Sequence, residues 1–136
     1  MHASRWIAIG ALWAAIGVAL GAFGAHALRE ELLARGELAT WQTAVQYQMW
    51  HALAIVLAGI LGRARRGFLA CAALFLLGSL CFSGSLYLLA FDLAAELVWP
   101  FTPLGGALLI VGWLLFAAQA LRGAAGERGG EIPPPR

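Results

Sequence analysis

The stretch Gly17-Val-Ala-Leu-Gly21-Ala-Phe-Gly24-Ala-His26 closes one apolar segment, and Gln46-Tyr47-Gln48-Met49-Trp50-His51 lies inside the next. A short charged link joins the two segments. The glycines of the first recur at steps of three and four residues, so they share a helix face on which another helix can approach closely in lipid. The second segment carries several polar side chains within a membrane-length run. Residues 17–51 therefore predict a packing seam joined to a polar stripe.

The composition of the chain favours a membrane protein. Apolar residues make up 62% of the 136 residues and charged residues 12%, which is about half the charged share of a soluble globular protein. A soluble domain of this size could not bury so much apolar surface, whereas apolar runs of about twenty residues match the hydrocarbon thickness of a bilayer. The length allows one domain, and the lipid bilayer is its predicted surrounding.

Four apolar segments predict an all-α fold, an integral membrane bundle of four transmembrane helices within one domain over residues 1–121. The predicted spans cover about 6–27, 38–61, 68–91 and 103–121. The first link predicts a short interfacial helix that ends at Gly36, and Thr102-Pro103 predicts the start of the fourth span. Residues 122–136 are rich in Gly, Pro and charge, which predicts a disordered polar tail.

The distribution of arginine predicts the orientation. All nine basic residues are Arg; with four spans, seven of them fall on the side of the two termini and the second link, and two on the other side. The positive-inside rule therefore predicts that both termini are cytoplasmic. The tight turn with Arg63, Arg65 and Arg66 has two compatible interpretations, a topology signal and a contact with anionic lipids. Because the arginines lie at the ends of apolar runs, nucleic acid is not an expected partner.

Two sets of small residues predict close helix packing, one along the first segment and one within the third. The predicted packing residues are Gly10, Ala14, Gly17, Gly21, Gly24, Gly78, Ser79 and Ser83. Faces of this kind let helix backbones approach one another in lipid. They predict packing against a neighbouring helix and association of the chain with itself or with other membrane proteins.

A polar stripe on the second segment is the main candidate for a functional site. Thr43, Tyr47 and His51 stand four residues apart and share a helix face, with Gln46 beside it. A polar stripe does not favour lipid, so we expect it to face the bundle interior. His51 has two interpretations: a neutral side chain that holds the helices in register through hydrogen bonds, or the centre of a binding or proton-handling site.

His26 is a secondary candidate. Counting the helical rise from the cytoplasmic end of each segment separates His26 from His51 by about 13 Å in depth. This separation disfavours one haem iron held between the two. We therefore expect His26 to be an interfacial side chain that hydrogen-bonds to water or to the first link.

The sequence predicts no catalytic residue, no cofactor and no metal ligand. Ser79, Ser83 and Ser85 have no acid–base partner of the triad kind on their segment. Cys71 and Cys81 are about 15 Å apart along a helix, too far for a disulfide within the segment, and they lack metal-ligand spacing. We expect both to be small apolar core residues; an intramembrane redox role for either is a further hypothesis.

Several motifs occur in a fixed order over about residues 5–121. They are Gly21-Ala-Phe-Gly-Ala-His26, Thr43-Ala-Val-Gln-Tyr47-Gln-Met-Trp-His51-Ala-Leu, Phe82-Ser-Gly-Ser-Leu-Tyr87, Thr102-Pro-Leu-Gly-Gly106 and Gly112-Trp113. In these motifs the chain resembles the YgdD-like family of small bacterial membrane proteins, a domain of unknown function, to which eukaryotic transmembrane protein 256 is similar. The resemblance implies four membrane helices and a multi-pass protein of the bacterial inner membrane. It implies no established activity, so no catalytic residue is carried over.

Two functions are compatible with these observations. The first is a non-catalytic membrane protein with a scaffold, assembly or accessory role, which rests on the small-residue faces and on the missing catalytic constellation. The alternative is a binding or carrier protein for a quinone, lipid or haem, with its site on the buried polar face around His51 and Tyr47.

Overall fold

The apolar segments fold as long helices, because a helix satisfies its backbone hydrogen bonds internally and lipid offers no other partner. The computed structural model describes residues 2–128 and has six helices within them. They are α1 (His2–Ala25), α2 (Arg29–Arg35), α3 (Leu38–Leu61), α4 (Gly67–Leu89), α5 (Ala95–Val98) and α6 (Phe101–Arg128). Four of the six, α1, α3, α4 and α6, are long and apolar enough to cross a membrane. The predicted fold class of four transmembrane helices is thus confirmed.

The four long helices pack in the order α1, α3, α4, α6, and each makes its main contacts with its neighbours in this row. Within the most apolar part of each span, 44% of the residues of α3 and 39% of those of α4 are buried, against 17% in each outer span. The central pair therefore supplies most of the core, and the outer helices leave most of their circumference to lipid.

Close glycine contacts form the seams between neighbouring helices. A Cβ added at Gly10 of α1 would lie 2.9 Å from the carbonyl oxygen of Ala52 in α3, and one at Gly17 would lie 2.8 Å from Met49 Sδ. On the other seam, a Cβ at Gly78 of α4 would lie 2.7 Å from Leu109 Cδ2 in α6. The small-residue faces are therefore already occupied by helices of the same chain.

The first link forms the predicted short helix. α2 ends at Arg35 and is capped by Gly36, whose φ of 74° lies in the left-handed region that glycine adopts without a steric penalty. Leu32 of α2 is fully buried and packs with Trp41 and Ala90 in a small core at this end of the molecule. This packing fixes α2 against the ends of α3 and α4.

The start and the end of α6 differ from the sequence prediction. Thr102 does not cap the helix, because α6 begins one residue earlier and the Thr102 hydroxyl lies 2.7 Å from Ser85 Oγ of α4. Pro103 is tolerated in the first turn, where its missing N–H has no helical partner to lose. α6 also continues to Arg128, beyond the boundary predicted at residue 121, since the first proline of the tail comes only at Pro133. The rest of the predicted tail, 129–136, lies outside the described residues.

An even number of spans places the two ends of the chain on one side of the membrane, and the arginine distribution predicts that this side is cytoplasmic. We expect a green fluorescent protein fused after Arg136 to fluoresce. An alkaline phosphatase fused at the same point should be inactive, and one inserted at Ala34 in the first link should be active. The reverse pattern in whole cells would contradict the predicted orientation.

Gly10→Ala should lower the free energy of unfolding by about 1–3 kcal/mol, the usual range for an overpacked contact. Its Cβ would meet the backbone of α3, which cannot move aside as a flexible side chain can. Gly84→Ala is the matched control, because nothing lies within 4 Å of its added Cβ. Reversible unfolding in mixed micelles gives the free energy of unfolding of both variants. Equal destabilisation would contradict the close contact between Gly10 and α3.

Candidate functional site

The buried face of α3 carries two of the polar side chains that the bundle encloses. Its buried residues recur at the helical period, and they are Trp41, Ala44, Gln48, His51, Ala52, Ala54, Ile55, Ala58 and Gly59. Gln48 is fully buried and His51 is 4% exposed. The buried polar residues of α3 are therefore Gln48 and His51, of which the predicted stripe included only His51.

Gln48 joins three helices through its amide. Its Nε2 donates to the Trp13 carbonyl oxygen of α1 at 3.0 Å, and its Oε1 accepts from the Tyr87 hydroxyl of α4 at 2.8 Å. The Trp13 indole N–H in turn donates to Ser79 Oγ of α4 at 2.9 Å. These bonds form one connected network across α1, α3 and α4.

His51 joins α3 to α6. The Trp113 indole N–H donates to His51 Nε2 at 3.1 Å, and His51 Nδ1 lies 2.7 Å from the Tyr47 carbonyl oxygen. Because a carbonyl oxygen only accepts, Nδ1 must carry the proton and Nε2 the lone pair. Both ring nitrogens are thus used within the chain by a neutral imidazole. A second proton on Nε2 would oppose the indole N–H, because both groups would then be donors.

The other members of the predicted site do not meet around a common point. Thr43 is half-buried and donates its hydroxyl to the Ala39 carbonyl oxygen of its own helix at 2.9 Å. Tyr47 packs its ring against Phe82, with 4.6 Å between the ring centroids. Gln46 is exposed on the opposite side of α3 from the buried face. The prediction that Gln46 faces the interior is wrong, because the inward direction passes through Gln48.

The remaining predicted residues lie apart from the network. His26 is exposed in the turn between α1 and α2, and its position at the membrane interface stays a prediction. Arg65 donates to the Gln119 carbonyl oxygen at 2.8 Å and so ties the second link to α6, whereas Arg63 and Arg66 are exposed. Cys71 is buried in the core and Cys81 is half-buried, and both are free thiols.

Two grooves on the bundle surface have volumes in the range of ligand sites. The first, of about 440 Å³, lies between α1 and α3 at the end nearest α2 and is lined by Gln46 among others. The second, of about 420 Å³, lies between α4 and the α5–α6 region and is almost wholly apolar. His51 lines neither groove. Residues 2–128 hold no cluster of three or more His, Cys, Asp or Glu that could bind a metal ion.

Sequence reasoning missed the partners of the network. Gln48, Trp13, Tyr87 and Trp113 are the residues that hold Ser79 and His51 in place. Residues three apart on a helix share a face, as residues four apart do. Gln48 therefore shares a face with His51, as Tyr47 does. The available signal was that a buried amide needs both an acceptor and a donor, and here the Trp13 carbonyl oxygen accepts from Gln48 Nε2 and the Tyr87 hydroxyl donates to Gln48 Oε1.

Comparison with known proteins gives consistent matches. A family profile described as "Protein of unknown function (DUF423)" matches residues 20–106. A UPF0382 membrane protein of Staphylococcus saprophyticus is 41% identical over 81% of this chain and 91% of its own length. A UPF0382 membrane protein of Haemophilus influenzae is 41% identical over 84% of this chain and 91% of its own. The UPF0382 inner membrane protein YgdD of Escherichia coli is 44% identical over 77% of this chain and 80% of its own. No solved structure matches the chain.

Gln48→Leu and Tyr87→Phe should each destabilise the bundle by about 1 kcal/mol, and the double variant by less than the sum. Each single change leaves the other polar group buried without its partner, whereas the double change removes both. Unfolding from mixed micelles gives the coupling energy between the two residues. Tyr47→Phe is the control, because the Tyr47 hydroxyl makes no hydrogen bond within the described chain. Additive losses would show that Gln48 and Tyr87 act independently.

Proposed function

We propose that this chain, which belongs to the DUF423 family of UPF0382 membrane proteins, is a non-catalytic membrane protein that packs with itself or with other membrane proteins. These matches confirm the family resemblance inferred from the sequence motifs. Together with the four membrane-length helices, they also confirm the multi-pass inner-membrane location that the resemblance implied. The role proposed here, in assembly or as an accessory subunit, goes beyond what the family description says.

The observation that carries the proposal is that buried polar groups are paired with one another. Gln48, His51, Ser79 and Ser85 each have a hydrogen-bond partner inside the chain. Among the residues that the structure describes, Ser83 Oγ is the buried side-chain polar atom without one. Intramembrane polar groups that are satisfied in this way act as connections between helices and leave little capacity for acid–base chemistry.

The surface that would meet a partner is the outer face of the row. The small-residue faces, which the sequence predicts as surfaces for association, are occupied within the chain. Large apolar side chains remain exposed on both outer helices; Ile9, Leu12 and Ile16 form a stripe along α1, and Ile110 and Leu114 lie on α6. A partner helix would therefore pack on these side chains by van der Waals contact, in competition with lipid.

The alternative function, a haem or quinone site at His51 and Tyr47, has less support. An axial ligand needs a free nitrogen lone pair, and the lone pair on His51 Nε2 accepts from Trp113. Ligand binding there would have to break this bond and separate α3 from α6. An optical spectrum of the purified chain tests for such a ligand directly.

A photo-crosslinking residue at Leu12, which is 65% exposed, and another at Leu114, which is 67% exposed, test the proposal in intact cells. We expect at least one position to give a discrete adduct, either at twice the 14.4 kDa chain mass or with one stoichiometric partner. The same residue at Ile55, which is fully buried, is the control and should give no adduct with another protein.

Adducts with lipid alone at both exposed positions, together with a monomer in mild detergent, would contradict the proposal. A haem or quinone spectrum that disappears in His51→Leu would favour the alternative. The two results are distinguishable because the first concerns the outer faces and the second the bundle interior.

A further inference from the structure

The groove between α1 and α3 has a polar lining that the hydrogen-bond network does not use. It has a volume of about 440 Å³, within the range of small-molecule sites. Gly21 and Gly24 lie on its α1 side, and Trp41, which packs against Gly24, forms part of its wall. The Trp41 indole N–H is already bonded to the Leu20 carbonyl oxygen at 3.0 Å, so the groove's free donors come from other residues.

The groove carries one positive charge that forms no ion pair within the described chain. Arg29 is the one charged residue in its lining. Within residues 2–128 the ion pair that forms nearby is Arg35 with Glu31, and no carboxylate lies within ion-pair distance of the Arg29 guanidinium. A guanidinium fits the oxygens of a phosphate as a two-point donor. The lining offers no acidic side chain to a cationic headgroup.

Two amides extend the polar lining toward the hydrocarbon. Gln42 and Gln46 are one turn apart on α3, both are exposed, and both line the groove. Their distances along α3 from its first residue, Leu38, are about 6 and 12 Å. Neither amide has a hydrogen-bond partner among the described side chains and backbone. An amide at this depth against acyl chains costs free energy unless a ligand or water meets it.

We propose that this groove binds the headgroup of an anionic phospholipid. Arg29 contacts the phosphate, and the amides of Gln42 and Gln46 donate to the ester and headgroup oxygens below it. The acyl chains continue along the apolar surface of α1 and α3 toward the membrane centre. This site does not depend on the packing role proposed above, and either can fail without the other.

The test uses the full chain, purified in mild detergent, with phosphatidylglycerol and phosphatidylcholine as probes. Native mass spectrometry counts the lipids retained, and thermal unfolding as a function of lipid concentration gives the affinity. We expect phosphatidylglycerol to bind more tightly than phosphatidylcholine. Arg29→Gln should weaken phosphatidylglycerol binding about tenfold, the effect of losing one charge-assisted hydrogen bond. Gln42→Leu combined with Gln46→Leu should also weaken it.

Two further variants separate a site from general attraction. Arg5→Gln removes the same charge from the exposed opposite end of α1 and should leave the affinity nearly unchanged. Ala25→Leu enlarges an exposed residue of the groove lining, so it should abolish binding while the chain still folds. Equal affinity for the two lipids, or equal losses in Arg5→Gln and Arg29→Gln, would overturn the proposal. Equal stabilisation by inorganic phosphate would overturn it too, because the occupant would then be a soluble anion.

Discussion

One constraint governs this structure: a buried amide must be hydrogen-bonded, and the hydrocarbon of the bilayer has no donors or acceptors to offer it. Gln48 is fully buried, and hydrocarbon cannot replace the hydrogen bonds that water would give it. Its two bonds, to the Trp13 carbonyl oxygen and from the Tyr87 hydroxyl, fix α1 and α4 relative to α3. Sliding either helix by one turn would separate the partners by about 5.4 Å and leave polar groups unpaired. The network thus specifies the helix register, which apolar contacts alone specify poorly.

Glycine makes the short interhelical hydrogen bonds possible. Backbones must approach closely before a side chain of α3 can reach a main-chain carbonyl oxygen of α1, and Gly10 and Gly17 permit that approach. The seam between α4 and α6 uses the same device at Gly78 and Gly105, whose added Cβ atoms would meet the backbone of the facing helix. Between these seams α3 and α4 pack through larger side chains, including Ile55 and Phe75. The α1–α3 and α4–α6 seams are therefore formed by close backbone contact, and the α3–α4 interface between them is formed by side-chain packing.

The spans could be predicted from sequence because each depends on local properties, the length and hydropathy of one segment. The same is true of the end of α2, since Gly36 adopts without a steric penalty the left-handed conformation that ends a helix. The inward face of α3 could not be predicted in this way. In lipid both the buried and the exposed faces are apolar, so the usual contrast between them is missing. Two sets of α3 residues have a spacing that fits one helix face. One set is Thr43, Tyr47 and His51, and the other is Gln48 and His51. The positions of Trp13, Tyr87 and Trp113 on other helices distinguish the two sets.

The row arrangement of the four long helices has a consequence for permeability. A ring of helices can enclose a lumen, but in this row α1 and α6 lie at opposite ends and make little direct contact. The space between the central helices is filled by side chains such as Phe75, which is fully buried. We therefore expect one copy of the chain to offer an ion no continuous aqueous route from one face of the bilayer to the other. Any conductance would have to arise between copies, along boundaries formed by the lipid-facing sides of the outer helices.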